Sequence, residues 1–271
     1  MIKRVLRSFV VLSIVAAIMI GILQEVAVYH PIKELQYTPA DIGLHYEDLM
    51  IPVGKNIALN AWVIESPQAS STLLFFHGNA GNNSDRLTKI DMFSRLGINI
   101  VIVDYRGFGK SNGRATSTNI QNDALKAYDF LIKENIIQAK TTIIYGESVG
   151  GVAAVNVARQ KTPAALILDS TFTSSADMAL KILPFLPPFL IYSSMNSYEK
   201  IAGVSCPKLF IHSQDDSMIP YYLGVKLYNK AKDPKEFLEI HGDHNDGFFI
   251  SEKKYMKGIE SFLRRYKFID L

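Results

Sequence analysis

From about Leu44 onward the chain alternates between short apolar runs rich in Val, Ile, Leu and Phe and longer stretches with helical spacing. That alternation restricts the fold more than any other feature. Leu49–Val53 and Ile57–Ile64 read as strands around a turn at Gly54-Lys55-Asn56, and six further runs follow: Ser71–Phe76, Ile98–Asp104, Thr142–Tyr145, Ala165–Leu168, Lys208–His212 and Phe237–Ile240. Short runs rich in Val, Ile, Leu and Phe suit strands covered on both faces. Helix candidates lie between them near 84–96, 116–135, 149–160, 221–232 and 247–266. Strands separated by helices imply a mostly parallel, eight-stranded sheet with right-handed crossovers and helices on both faces, and the first hairpin supplies an antiparallel edge. Residues 174–200 break the rhythm. Pro184, Pro187 and Pro188 interrupt an apolar stretch over 182–192, which predicts short helices or an irregular cap, either a loop packed on the core or a substrate-facing lid. Phe185 and Phe189 are its candidate substrate-facing residues.

The start of the chain obeys a different pattern. Ser8 to Gln24 is an uncharged run of 17 residues behind Lys3, Arg4 and Arg7. As a helix it spans roughly 26 Å against a hydrocarbon core of ~30 Å, and Val26 to Tyr29 can extend it. A cleaved secretory signal needs a small-x-small site after the run, and Gln24-Glu25-Val26-Ala27-Val28 is a poor one. The expectation is therefore a retained signal-anchor over 1–29 and a linker over 30–44, with a single catalytic domain over 45–271. The basic head would stay cytoplasmic and the body would lie across the membrane. Without that head, the formal charge of +3 becomes 26 basic against 26 acidic residues, which removes the support for a nucleic-acid-binding face. The lone Cys206 excludes an internal disulfide, and no histidine and carboxylate cluster has zinc spacing, so neither metal nor cofactor is expected.

Ligands of an open parallel sheet sit at the carboxyl ends of its strands. Directly after the run Thr142–Tyr145 stands Gly146-Glu147-Ser148-Val149-Gly150, followed by the small-residue helix start Gly151-Val152-Ala153-Ala154. A G-x-S-x-G turn between a buried strand and a helix lifts the serine Oγ above the sheet. Its helix start offers the Val149 N–H to a developing oxyanion. Serine needs a base held by a third group, in the chain order Ser, acid, His. His244, in the loop after the last strand, is the favoured base, with His241 at the strand end as the alternative. Asp216 is the favoured acid over its neighbour Asp215 and over Asp169. Asn79, in the loop after Phe75-Phe76, is the second candidate oxyanion donor through its N–H. His77 in that loop precedes the nucleophile and is read as fixing the loop, and His212, inside a strand, as buried structure.

The motifs His77-Gly78-Asn79-Ala80-Gly81-Asn82, Asp104-Tyr105-Arg106-Gly107-Phe108-Gly109-Lys110-Ser111, Gly146-Glu147-Ser148-Val149-Gly150, Asp215-Asp216 before Ile219-Pro220, and Gly242-Asp243-His244-Asn245 together resemble the α/β-hydrolase superfamily. Within it they are most similar to the Bem46-like branch, which includes membrane-anchored serine hydrolases with an amino-terminal signal-anchor. The likeness spans about 45–268. It implies Ser148, Asp216 and His244 as a triad and Asn79 and Val149 as oxyanion donors of a serine hydrolase that acts on esters or thioesters. The apolar stretch over 182–192 near a membrane points to acyl-chain or lipid substrates, and the alternatives are a catalytically silent scaffold or a serine peptidase or amidase of the same fold. One residue departs from the pattern: where the branch commonly reads Gly-Gly-His-Asn, Asp243 precedes His244, and a carboxylate there is expected to raise the imidazole pKa. Asp104 to Ser111 superficially resembles a phosphate loop, but Asp104 stands where the first glycine is required.

Overall fold

The computed structural model describes residues 24–182, 184–185 and 194–269, together with residues 15, 19 and 21. Its centre is an eight-stranded sheet built from β2 (Glu47–Gly54), β3 (Ile57–Ile64), β4 (Thr72–Phe76), β6 (Asn99–Val103), β7 (Thr142–Glu147), β8 (Ala165–Asp169), β9 (Lys208–Ser213) and β10 (Lys235–Ile240). The spatial order is β10-β9-β8-β7-β4-β6-β3-β2. Neighbours from β10 to β6 run parallel, while β3 pairs antiparallel with β6 and β2 with β3. The order reverses between β4 and β7, so a crevice opens beyond their carboxyl ends.

Strand alternation sends successive side chains to opposite faces. Leu73 and Phe75 of β4, with Ile143 and Tyr145 of β7, pack against α1 (Leu87–Ser94) and α8 (Glu252–Arg265). Leu74, Phe76 and Ile144 face α2 (Asn119–Lys133) and α3 (Gly150–Lys161). In α8 the buried positions are Tyr255, Ile259, Phe262 and Leu263, one stripe at helical spacing. Nothing from Gly150 to Ala158 in α3 is exposed, and its small residues let the helix lie close on the sheet.

Two short strands lie outside the sequence expectation. β1 (His30–Pro31) pairs parallel with β5 (Ala80–Gly81), which belongs to the loop after β4. Residues 30–44, expected to form a linker, are bonded along the domain. Asn82 Nδ2 donates to the Ile32 and Glu34 carbonyls (3.0 and 2.8 Å), and Gly109 N donates to the Ile32 carbonyl (2.9 Å).

The cap region contains α4 (Ser175–Ile182) and α5 (Ser197–Ile201), which lie between α3 and α6 (Tyr221–Lys230) in the chain. Ser174 and Asn196 bridge antiparallel, so the excursion leaves and returns at one point. Phe189 lies outside the described residues. The expected anchor falls on residues of which few are described, and among the described residues no helix is long and apolar enough to cross a membrane.

Candidate active site

The tip of β7 turns sharply at Ser148, whose φ is +53°. Such a turn is possible because strand and helix nearly touch. A Cβ on Gly150 would meet the Phe76 carbonyl oxygen at 2.0 Å, and one on Gly146 would meet Ala154 Cβ at 2.6 Å. The strained residue is held on both sides: Ser148 N donates to the Asp169 carbonyl (2.9 Å), while its own carbonyl accepts from Gly151 N (3.0 Å) and Thr171 Oγ1 (2.7 Å).

Two loops bring the other candidates to it. His244 follows β10, and its Nε2 lies 3.2 Å from Ser148 Oγ. Its Nδ1–H donates to Asp216 Oδ2 (2.8 Å). Asp216 follows β9 and is fixed by its own turn, because Oδ1 accepts from Met218 N (3.0 Å) and Ile219 N (2.7 Å). His212 backs this turn, donating from Nε2 to the Ile219 carbonyl (2.9 Å), and burial pushes its pKa down. The alternatives sort themselves geometrically. Asp215 Oδ2 instead accepts from His241 Nδ1 (3.0 Å) and Gly242 N (3.2 Å) in an exposed pair.

Asp243 ties the two loops together. Its Oδ1 accepts from Ser217 N, Ser217 Oγ and His244 N, each at 2.8 Å. Those hydrogen bonds, Ser217 N–H first, hold its carboxyl well below the ordinary 3.8, at about 2.

On the far side of Ser148 lies the loop after β4. A Cβ on Gly78 would stand 3.7 Å from Ser148 Cβ, and the next residue, Asn79, lines the same cleft. Val149 stands at the start of α3. Among the described residues neither the Asn79 nor the Val149 N–H donates to a protein acceptor. His77 holds this loop from beneath: Nδ1 bonds the Gly78 carbonyl (2.8 Å) and Nε2 bonds Asp104 Oδ1 (3.2 Å). Both side chains are fully buried, and burial raises the Asp104 pKa.

The cleft encloses about 440 Å³ and is lined by Ile32, Arg86, Lys89, Glu147 and Phe248 beside Ser148 and His244. Phe185 is not among its lining residues. It sits in the turn begun by Pro184 and is 96% exposed. Sequence reasoning missed the charged floor. Lys89 Nζ donates to Tyr145 Oη (2.9 Å), Glu147 Oε1 (3.1 Å) and Asp169 Oδ2 (2.8 Å). Burial alone would lower the lysine pKa, but Asp169 and Glu147 outweigh it and the net shift is upward. Burial likewise works to raise both carboxylates, and Lys89 brings them net downward. Asp169 also accepts from Tyr255 Oη (2.8 Å), so it belongs to this floor and not to His244. The available signals were an acid inside the G-x-S-x-G turn and another ending the next strand. Among the described residues no group of three His, Cys, Asp or Glu side chains could hold a metal ion.

Comparison with known proteins agrees with this architecture. Residues 67–195 match the family model described as serine aminopeptidase, S33. The α/β-hydrolase domain-containing protein WAV2 of Arabidopsis thaliana is 32% identical over 90% of this chain and 88% of its own length. Protein bem46 of Schizosaccharomyces pombe is 32% identical over 77% and 74%. An esterase of Pyrococcus furiosus shares the fold with a TM-score of 0.73 at 19% identity, covering 88% of this chain and 98% of that one. The chain belongs to the α/β-hydrolase superfamily, in its Bem46-like branch.

Proposed function

We propose that this hydrolase cleaves carboxylic esters or thioesters through an acyl-enzyme on Ser148. The observation that carries this reading is the continuous chain from Ser148 Oγ to His244 Nε2 (3.2 Å) and from His244 Nδ1 to Asp216 Oδ2 (2.8 Å). Serine oxygen attacks the acyl carbon as its proton passes to Nε2, and Asp216 stabilises the imidazolium. The carbonyl oxygen becomes an oxyanion, for which the Asn79 and Val149 N–H groups, without a protein acceptor among the described residues, are the proposed donors. Collapse of the tetrahedral species breaks the bond to the leaving oxygen or sulfur, which takes the Nε2 proton. Water then gives a proton to the same nitrogen and attacks the acyl carbon, releasing the carboxylic acid and restoring Ser148.

The description of the matched family model supports an aminopeptidase as a second reading. An α-ammonium group would need a free carboxylate, and those of the cleft are engaged: Asp85 Oδ2 accepts from Asn82 N (2.8 Å) and Glu147 pairs with Lys89 (3.1 Å). This favours the ester. The proposal extends to a retained anchor over 1–29, with the catalytic domain on the non-cytoplasmic side, and to acyl-chain or lipid substrates.

Steady-state hydrolysis of p-nitrophenyl acetate and of leucine p-nitroanilide separates the two readings. The ester is expected to give the higher kcat/KM, and Ser148→Ala should lower it by about 10³-fold or more. Faster cleavage of the anilide would make the enzyme an amidase.

A further inference from the structure

The uncharged run ends without a tether before the domain begins. Residues 24–28 form a helical turn that rises only about 6 Å. Glu25 accepts from Ser117 N (2.8 Å) and Ser117 Oγ (2.5 Å), and Tyr29 is buried. Asn79 then grips the entering strand, donating from Nδ2 to the Val28 carbonyl (2.7 Å) and accepting from His30 N at its own carbonyl (2.9 Å). The loop beside Ser148 is thus bonded to the chain four and six residues after Gln24. Anything that fixes the run Ser8–Gln24 fixes the cleft with it.

Large apolar side chains are exposed on the same edge of the sheet. Ile32, beside β5 and lining the cleft, is 46% exposed, and Phe249 and Ile250 are 61% and 62% exposed. The latter two belong to α7 (Gly247–Ile250), whose Phe248 also lines the cleft. Phe185 follows α4 and Met218 follows β9, both beyond carboxyl ends of strands. Lys133, at the end of α2 and therefore at the opposite edge, has an 81% exposed side chain. Asp243 and Asp246 precede α7 and the exposed Lys253 and Lys254 follow it, so their formal charges cancel and apolar contact is what would hold this edge to a surface.

We infer that the mouth of the cleft lies on a lipid bilayer, with the uncharged run crossing it and Ile32, Phe249 and Ile250 seated among the headgroups. The partner is the bilayer surface itself. Resting on the hydrolase reading, the inference names the substrate class as a membrane-resident amphiphile whose ester lies at headgroup depth and reaches Ser148 without crossing bulk water.

The test uses the full chain in phosphatidylcholine vesicles, labelled with a polarity-sensitive fluorophore at Ile250→Cys or at Lys133→Cys. Cys206 competes poorly for label, since it is buried and its thiol is pushed up to about 11. Nitroxide lipids should quench the label at 250 far more than the label at 133. Equal quenching, or a chain that fails to float with the vesicles, overturns the inference. A second arm needs turnover. Replacing Phe249 and Ile250 together with Ser should leave hydrolysis of soluble p-nitrophenyl acetate unchanged and lower hydrolysis of vesicle-borne 4-methylumbelliferyl oleate by about fivefold or more. Equal effects on both substrates overturn the proposed entry route. Quenching requires no catalysis, so strong quenching at 250 in a chain inert to every ester supports the surface and overturns the hydrolase reading alone.

Discussion

At Ser148 the left-handed backbone costs on the order of 1–3 kcal/mol for a residue other than Gly, and its neighbours hold it there. The bonds from Ser148 N to Asp169 and from Thr171 Oγ1 to the Ser148 carbonyl prevent relaxation, so Oγ stays aimed at His244. Asp243 does comparable work on the opposite side of the site. In sequence it reads as a charge beside the imidazole; in the structure its Oδ1 faces Ser217 and the His244 N–H. Because its folded pKa is depressed to about 2, its stabilisation is full above the unfolded value near 3.8 and is lost as pH falls toward 2. Asp243→Ala should therefore lower Tm at pH 6, with the gap to the parent closing between about pH 4 and 2. Thermal melts across that range check this, and a constant gap would contradict it. The adjacent Asp215 and Asp216 show why loop residues resist reading: a loop has no period that orients side chains, and only coordinates pair one with His241 and the other with His244.

Between elements, Lys89 joins the tips of β7 and β8 from α1. It pairs with Glu147, which precedes Ser148 and also faces Arg86, and with Asp169, whose carbonyl receives the Ser148 N–H. Lys89→Met should cost roughly 3–5 kcal/mol, because it leaves the buried Asp169 without its cation, while Glu147 keeps Arg86 at 3.7 Å. Adding Asp169→Asn should recover part of that loss. Urea unfolding midpoints of the single and double variants test the coupling, and additive losses would contradict it. A lysine on an amphipathic helix ordinarily faces solvent, so its spacing carries no sign of this role. Six of the eight main strands were legible as short runs rich in Val, Ile, Leu and Phe between stretches of helical spacing, and β2 and β3 as a pair around a turn. β1 and β5 were not, since two residues hold no period and their pairing joins segments about fifty residues apart.

For the molecule as a whole, parallel pairing from β7 through β8 and β9 to β10 places their carboxyl ends on one edge, which brings residues 148, 216 and 244 within hydrogen-bonding reach. That convergence could be anticipated from the order of motifs along the chain. The course of residues 30–44 could not, because hydrogen bonds such as those from Asn82 to the Ile32 and Glu34 carbonyls engage the backbone and leave no mark in side-chain pattern. Fluorophosphonate labelling of the intact protein, with the modified peptide identified by mass spectrometry, tests whether Ser148 is the activated nucleophile proposed above. One adduct is expected, on Ser148, abolished in Ser148→Ala and strongly reduced in His244→Ala. Labelling elsewhere, or undiminished labelling in either variant, would contradict it.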